Sequence, residues 1–242
     1  MRIFVINLLR RPDRLVEISH DLKHHAITFE TVEAIDATSN PLAKKFHRPL
    51  LQIILGKRAY SIGTTANFLS HRQIWQKMVS ENIPSVLVLE DDARISNWDK
   101  RFLDLDISLY GLDILRLGAN EVPVEQTPAS TKTILGRALV TGQLWGNVAT
   151  IVTLSAAKKF LVHNKYWFPS DDYEHFKYCY GIKYAAVNPL LWLASGSASD
   201  VETTKKKLSI FQSISLSVIK PLRRKIILPA IHLYLRFITS SH

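Results

Sequence analysis

Apolar residues along this chain form short runs that alternate with stretches of helical spacing. The run Ile3–Leu8 is rich in β-branched residues, and the run Val86–Leu89 shows no alternation of apolar and polar positions. Runs without alternation are typical of parallel strands that helices cover on both faces. The same reasoning predicts further strands at 28–35, 112–117, 133–140, 147–153 and 183–187.

Helical patterns lie between these strands. In the stretch 64–81 the apolar residues Phe68, Trp75 and Val79 share one helical face, with Thr64 or Thr65 as the predicted N-cap. Two more helices are predicted at 13–25, just after Pro12, and at 155–163. Strands that alternate with helices predict an α/β fold with a central, mostly parallel sheet.

The uncharged stretch 138–157 has the length of a membrane span, but polar residues and glycines interrupt it repeatedly. We therefore interpret it as buried strands joined by a loop and expect no transmembrane helix. The N-terminal residues lack the cleavage site of a signal peptide. One cysteine, Cys179, excludes an intramolecular disulfide and any multi-cysteine zinc site, which fits a reducing compartment.

The formal net charge of +10 is concentrated at one end of the chain. After Glu202 there are eight basic residues and no acidic one, whereas the rest carries 23 basic and 21 acidic residues. A nearly neutral body does not fit a nucleic-acid-binding protein. The chain is therefore predicted to consist of a catalytic domain, residues 1–204, and a basic tail, residues 205–242.

Apolar residues recur at helical spacing in the tail, for example at Leu208, Phe211 and Ile214. Such a basic amphipathic segment suits an anionic membrane surface, to which each basic residue near it contributes about 1 kcal/mol. The same pattern also fits a helix that packs on the protein's own core with its basic residues exposed. Both interpretations remain open at this point.

Three carboxylates, Glu90, Asp91 and Asp92, directly follow the buried run Val86–Leu89. Ligands of open α/β sheets bind at the carboxyl ends of strands, where this cluster is expected to lie. Adjacent carboxylates repel one another, and a divalent cation would remove that cost. In an extended segment Glu90 and Asp92 point to one side and Asp91 to the other. The alternative is a solvated acidic loop.

A second pair of carboxylates, Asp171 and Asp172, follows Pro169. Either one is a candidate general base for a hydroxyl group, or else a cap for the short helix that is expected after it. Basic residues also cluster after the first strand, at Arg10, Arg11 and Arg14, where a helix N-terminus would help them to bind a pyrophosphate.

With these residues in order, the chain resembles glycosyltransferase family 25, the bacterial lipooligosaccharide galactosyltransferases and their collagen-modifying relatives. The matching motifs span about residues 3 to 190 and comprise Phe4–Leu8 with Arg11–Arg14, Glu33–Asp36, Leu69–His71 with Ile74 and Trp75, Leu87–Asp92, and Pro169 with Asp171 and Asp172. The chain departs from the family pattern at Ile62–Phe68, where Thr64 replaces the usual Glu.

The resemblance implies a GT-A-like, Rossmann-type nucleotide-sugar-binding fold. It also implies an inverting transfer of a hexose, commonly galactose from UDP-galactose, onto a sugar hydroxyl of lipooligosaccharide. Such an acceptor would place the enzyme in the bacterial cytoplasm, at the inner face of the inner membrane. The alternatives are an inactive or hydrolytic homologue, and a basic membrane- or nucleic-acid-binding protein.

The resemblance further implies roles for individual residues. Asp92 and Glu90 would hold Mn²⁺ or Mg²⁺, because oxygen ligands suit these cations. Asp171 or Asp172 would be the base. The implied donor-binding residues are Asn7, Leu8, Arg11, Arg14, Asp36, Glu90 and Asp91.

Overall fold

The computed structural model describes residues 1–47, 61–120, 127–141, 146–162 and 169–196, together with Ala230. Ten strands lie in these residues and belong to one sheet. They are β1 (Arg2–Asn7), β2 (Glu30–Glu33), β3 (Ser85–Glu90), β4 (Ala93–Ile95), β5 (Ile114–Ala119), β6 (Thr127–Ile134), β7 (Arg137–Thr141), β8 (Ala149–Thr153), β9 (Tyr184–Asn188) and β10 (Trp192–Ala194).

Five α-helices accompany the strands in the same ranges: α1 (Pro12–His24), α2 (Pro41–Phe46), α3 (Ile62–Ser80), α4 (Leu154–Val162) and α5 (Tyr173–Tyr180). Short 3₁₀ helices occupy Lys100–Asp104 and Ile107–Tyr110. Pro12 lies in the first turn of α1, as predicted. Helix α3 begins after Ser61, whose hydroxyl accepts from the Thr64 amide, so the predicted cap at Thr64 or Thr65 is wrong.

The strand order is β2-β1-β3-β8-β5-β9-β7-β6, with β10 beside β5 and β4 beside β10. Among the described strands only β4, β7 and β8 run against the direction of the others. The α/β class with a mostly parallel sheet is therefore confirmed. Strand β8 separates β3 from β5 and is antiparallel to both, which the sequence did not indicate.

Side chains of β1 and β3 alternate between the two faces of the sheet. Val5, Leu87 and Leu89 pack against Ile18 and Leu22 of α1. On the other face Phe4, Ile6, Val86 and Val88 pack against α3, which contributes Phe68, Ile74, Trp75 and Met78, and against α4 and α5. The apolar run of β3 is thus covered on both faces, as its lack of alternation predicts.

One predicted strand is wrong. The stretch 133–140 was expected to be continuous, but it contains the hairpin between β6 and β7. The chain reverses at Leu135 and Gly136, whose φ angles are 49° and 80°. Two successive residues with positive φ are typical of a tight hairpin turn. The strand predicted at 28–35 is also shorter, since β2 covers only Glu30–Glu33.

No helix in the part of the chain that the structure describes is both long and apolar enough to cross a membrane. The predicted boundary between residues 204 and 205 lies outside the described residues, and so does the basic tail apart from Ala230, so both stay predictions.

Replacing Ile74 by Ala should lower the free energy of unfolding by about 2–5 kcal/mol, because it leaves a cavity between α3 and the sheet. Ile74 is fully buried. Val79 lies on the same helix and is 38% exposed, so Val79→Ala should change this free energy by less than about 0.5 kcal/mol. Urea denaturation measures both. Equal losses in the two variants would contradict the packing described here.

Candidate functional site

The carboxyl ends of β1, β2 and β3 meet at one edge of the sheet. Asn7 pairs with Glu33 and Ile6 pairs with Glu90, so the last residues of the three strands lie side by side. Because β8 is antiparallel to β3, β8 begins where β3 ends, and the amide of Glu90 donates to the carbonyl of Val148 at 3.0 Å. Residues 146–148 therefore lie at the same edge.

Glu90 continues the alternation of Val86 and Val88 and faces α3. Its Oε1 accepts from Asn67 Nδ2 at 3.0 Å and lies 3.4 Å from His71 Nε2. Burial acts to raise the pKa of Glu90, but His71, Asn67 and the charge of Arg116 outweigh burial and lower it. The Glu90 side chain is thus held in place as a carboxylate.

Asp91 faces the opposite side of the sheet and forms a buried ion pair with Arg14 of α1, at 3.2 Å. Burial raises the pKa of Asp91, although the Arg14 charge offsets part of this effect. The prediction that Glu90 and Asp91 face opposite sides is confirmed. Arg14 was expected near the donor nucleotide; the structure shows it buried, as the cation that compensates Asp91.

Asp92 follows β3, and its backbone carbonyl accepts from the Ser195 amide at 2.8 Å. Its Oδ1 is buried and has no hydrogen-bond partner among the described residues. Burial, Glu90 and Asp91 raise the pKa of Asp92 to about 7. The Oδ1 of Asn7, on the adjacent β1, is also buried and has no partner in the same ranges. Buried acceptors that lack a donor are expected where a ligand or ion binds.

Of the second predicted pair of carboxylates, Asp171 is linked to this edge by a hydrogen bond from Gly146. The Gly146 amide donates to Asp171 Oδ2 at 2.9 Å, so the Asp171 side chain is directed toward the residues before β8. Asp172 is only 5% exposed and immediately precedes α5. Asp171 is half-buried and is therefore the more accessible of the two.

A buried polar network that the sequence did not reveal joins these parts. Asn147 Oδ1 accepts from the Tyr173 hydroxyl at 2.6 Å and from the Thr150 hydroxyl at 2.5 Å. Asn147 Nδ2 lies 3.4 Å from His71 Nε2. His71 is almost fully buried and lies between Glu90 and Asn147. No local pattern identified Asn147, because two of its partners, His71 and Tyr173, lie 76 and 26 positions away along the chain.

A polar cleft of about 480 Å³ lies beyond the end of β2, and Arg10, Glu33 and Asp36 are among its lining residues. Asp36 accepts from Arg10 Nε and from the Thr38 amide, both at 2.8 Å. Burial acts to raise the pKa of Asp36, but Thr38 and Arg10 outweigh it and lower the pKa. Two strand spacings, about 10 Å, separate β2 from β3 along this edge.

Leu8 and Arg11 form the turn between β1 and α1, in which the Arg11 amide donates to the Leu8 carbonyl at 2.8 Å. The Arg11 guanidinium is paired with Asp13 at 2.7 Å. Leu8, Asn7 and Arg11 therefore lie at the sheet edge where donor-binding residues were predicted, while their binding role stays a prediction.

Replacing Arg14 by Met should lower the free energy of unfolding by about 3 kcal/mol, because Asp91 would remain buried without its cation. The double variant Arg14→Met/Asp91→Asn should recover at least half of that loss. The Arg101–Asp99 pair is a control, since the Arg101 side chain is 62% exposed. Arg101→Met should change stability by less than about 1 kcal/mol. Chemical denaturation tests this, and equal losses for Arg14→Met and Arg101→Met would disprove it.

Known proteins are similar to the part of the chain that forms this edge. The family model described as glycosyltransferase family 25 (LPS biosynthesis protein) matches residues 1–174, a range that includes every site residue named above except Ser195. A glycosyltransferase 25 family member from Aedes aegypti is 30% identical over 171 residues, which is 66% of this chain and 27% of that protein.

Two further relatives differ in the activity that their names state. The human inactive glycosyltransferase 25 family member 3 is 30% identical over 169 residues, 66% of this chain and 28% of that protein. The mouse procollagen galactosyltransferase 2 is 23% identical over 235 residues, 84% of this chain and 37% of that protein. The chain thus spans well under half the length of these relatives.

Two solved glycosyltransferase structures are similar at 10% sequence identity. One is a glycosyltransferase involved in the glycosylation of the major capsid of PBCV-1; its TM-score is 0.43, and the match covers 90% of this chain and 98% of that one. The other is a mutant Drosophila β1,4-galactosyltransferase 7 with manganese, UDP-Gal and xylobiose (TM-score 0.44, 88% and 78%). Structural similarity at TM-scores below 0.5 does not indicate a shared function. The family match, by contrast, covers residues 1–174 of 242, and this chain belongs to glycosyltransferase family 25.

Proposed function

We propose that this chain transfers a hexose from a nucleotide-sugar donor to a sugar hydroxyl, with inversion at the anomeric carbon. The observation that carries the proposal is the cluster Glu90–Asp92 at the carboxyl end of β3, in which Asp92 has a buried carboxylate oxygen that finds no hydrogen-bond partner in the described part of the chain. Family membership supports a glycosyltransferase. The name of the mouse relative, a galactosyltransferase, makes galactose the first sugar to test, with UDP-galactose as its donor. The family description, LPS biosynthesis protein, makes a lipopolysaccharide or lipooligosaccharide the first acceptor.

The residues of this edge fit a divalent cation with oxygen ligands. Glu90 is held by Asn67 and His71, and Asp91 by Arg14, which leaves Asp92 as the main candidate ligand. The described residues bring no three His, Cys, Asp or Glu side chains together as a ready-made metal site. Mg²⁺ in phosphate-transfer sites is commonly bound by one or two carboxylates together with substrate phosphates. We therefore assign Mn²⁺ or Mg²⁺ to Asp92, with Glu90 nearby.

When bound, such a cation would neutralise the charge that develops on the leaving diphosphate. The chain's own residues do the rest. The cleft beside Asp36 would bind the nucleoside part of the donor, and the turn that contains Leu8 and Arg11 would lie along its diphosphate. These donor contacts belong to the proposal.

Asp171 is the base that we assign, because it is more exposed than Asp172 and lies at the edge that holds Glu90. The acceptor hydroxyl loses its proton to the Asp171 carboxylate while its oxygen attacks the anomeric carbon. The bond from that carbon to the diphosphate breaks on the opposite face. A single displacement of this kind inverts the configuration.

Replacing Asp92 by Asn should reduce metal-dependent transfer at least 100-fold and leave the fold intact, because it removes the cation's main ligand. Release of nucleoside diphosphate at several Mn²⁺ concentrations measures this. Asp104→Asn is the matched control, since Asp104 is exposed and lies outside the site. A folded Asp92→Asn protein with full activity in the presence of Mn²⁺ would refute the assignment.

Some relatives are named inactive, so the reaction itself needs a test. A screen of nucleotide-sugar donors with Mn²⁺ should show nucleoside diphosphate release that requires a truncated lipooligosaccharide acceptor. Release without an acceptor would indicate a hydrolase. No release from any donor would indicate a non-catalytic, nucleotide-sugar-binding homologue.

We also propose that the chain works on the inner face of a bacterial inner membrane, where its basic tail contacts anionic lipid. The support is the charge distribution, since residues after Glu202 include eight basic and no acidic ones. A membrane-bound glycolipid acceptor would be found on the same surface.

Replacing the three basic residues of Arg223–Lys225 by Gln should weaken sedimentation with anionic vesicles roughly 100-fold, because each basic residue contributes about 1 kcal/mol. The matched control replaces Lys23, Lys100 and Lys158, which are exposed on the body, and should leave sedimentation unchanged. Transfer to a soluble saccharide should be the same in both variants. Equal sedimentation of the two variants would contradict the membrane proposal.

A further inference from the structure

Arg116 lies in β5 and is 1% exposed. Its guanidinium donates to the carbonyl of Gly146 and lies 4.9 Å from the centre of the Tyr173 ring. Gly146 and Tyr173 are neighbours of the candidate base, one through its hydrogen bond to Asp171 and the other two positions along the chain. One buried cation therefore contacts both sides of the Asp171 segment.

Gly146 is the centre of this arrangement. Its carbonyl accepts from Arg116, and its amide donates to Asp171 Oδ2 at 2.9 Å. Its φ of 79° is in the left-handed region, and an added Cβ would lie 2.0 Å from Asn120 Oδ1. A side chain at this position would therefore be strained and would also clash. The backbone of Gly146 is therefore held at its carbonyl by Arg116, and its amide is directed to Asp171.

The next residue adds a second connection to the same segment. Asn147 Oδ1 accepts from the Tyr173 hydroxyl at 2.6 Å. Burial raises the pKa of Tyr173 to about 12, so the hydroxyl keeps its proton and acts as the donor. The residues on both sides of Asp172 are thus hydrogen-bonded to residues 146–147. The Asp171 carboxylate accepts from the Gly146 amide, and the Tyr173 hydroxyl donates to Asn147.

Arg116 also interacts electrostatically with the carboxylates of the site. Its burial lowers the pKa of Arg116, while the charges of Asp171 and Glu90 favour its protonated form. The cation therefore lies in the field of two site carboxylates.

We propose that Arg116 is the positioning residue of the candidate base: through the carbonyl it fixes the backbone of Gly146, whose amide holds Oδ2 of Asp171 and leaves Oδ1 for the acceptor hydroxyl. The proposal rests on the proposed function, because a base is needed only if transfer occurs. Misplacement of a reacting group by about 1 Å commonly costs about 100-fold in rate. The arrangement is expected to act on kcat, because it touches the base and not the donor cleft.

The test compares Arg116→Met, Arg116→Lys and a control, Arg137→Met. Arg137 also donates to a backbone carbonyl, that of Pro189 at 2.7 Å, but it is remote from Asp171 along the sheet edge. Arg116→Met should lower kcat about 100-fold and change the donor KM less than twofold. Arg116→Lys keeps the positive charge, so its kcat should be at least tenfold higher than that of Arg116→Met. Arg137→Met should leave kcat unchanged.

A second readout does not depend on activity. Hydrogen exchange of the Gly146 amide, followed by NMR, should accelerate at least tenfold in Asp171→Ala, which removes the acceptor, and in Arg116→Met, and not in Arg137→Met. If the wild type transfers no sugar, the proposed function fails, and this exchange experiment still decides whether Arg116 holds the Gly146–Asp171 bond.

Three results would overturn the inference. The first is a folded Arg116→Met protein with unchanged kcat, and the second is a loss of kcat matched by an equal rise in donor KM. The third is unchanged exchange of the Gly146 amide. If Arg116→Met does not fold, Tyr173→Phe replaces it. This variant keeps the ring on Arg116 and removes the bond to Asn147, and it should lower kcat about tenfold with an unchanged donor KM; an unchanged kcat would count against the proposal.

Discussion

Mutual repulsion of three consecutive carboxylates at the end of a buried strand is the constraint around which this sheet edge is organised. Each carboxylate meets a different environment. Glu90 is hydrogen-bonded by Asn67 and approached by His71, both on α3, whereas Asp91 is paired with Arg14 on α1. Asp92 keeps a buried oxygen without a partner among the described residues, and its pKa rises to about 7. The protein compensates two of the charges, and the third is the one to which we assign the cation.

The alternation of β3 explains why this division was partly predictable. Val86 and Val88 face α3, Leu87 and Leu89 face α1, and the period of two continues through Glu90 and Asp91. The sequence therefore predicted the buried strand, the position of the cluster and its two-sided arrangement. It did not predict the partners, because Asn67 and Arg14 precede the cluster by 23 and 77 residues and meet it only through helix packing.

Other features were not predictable for different reasons. The turn at Leu135–Gly136 interrupts an apolar stretch, and Gly136 is its only local signal, because leucine rarely adopts a φ such as the 49° of Leu135. The order of the strands was also hidden, since β8 follows β7 in sequence but inserts between β3 and β5. Local propensity predicts that a strand exists; the pairing of that strand depends on contacts across the whole sheet.

The insertion of β8 has the largest consequence for chemistry. In a purely parallel sheet only the residues that follow strands reach the carboxyl edge, and everything that precedes a strand lies at the opposite edge. In an antiparallel strand the residues that precede the strand lie at the carboxyl edge instead. Gly146 and Asn147, which precede β8, therefore lie beside Glu90. Their amide and carboxamide groups then bind Asp171 and Tyr173, residues that follow β8 by some twenty positions. One antiparallel strand thus brings the second pair of carboxylates to the edge that holds the first cluster, and it explains how two acidic motifs 80 residues apart can form one site.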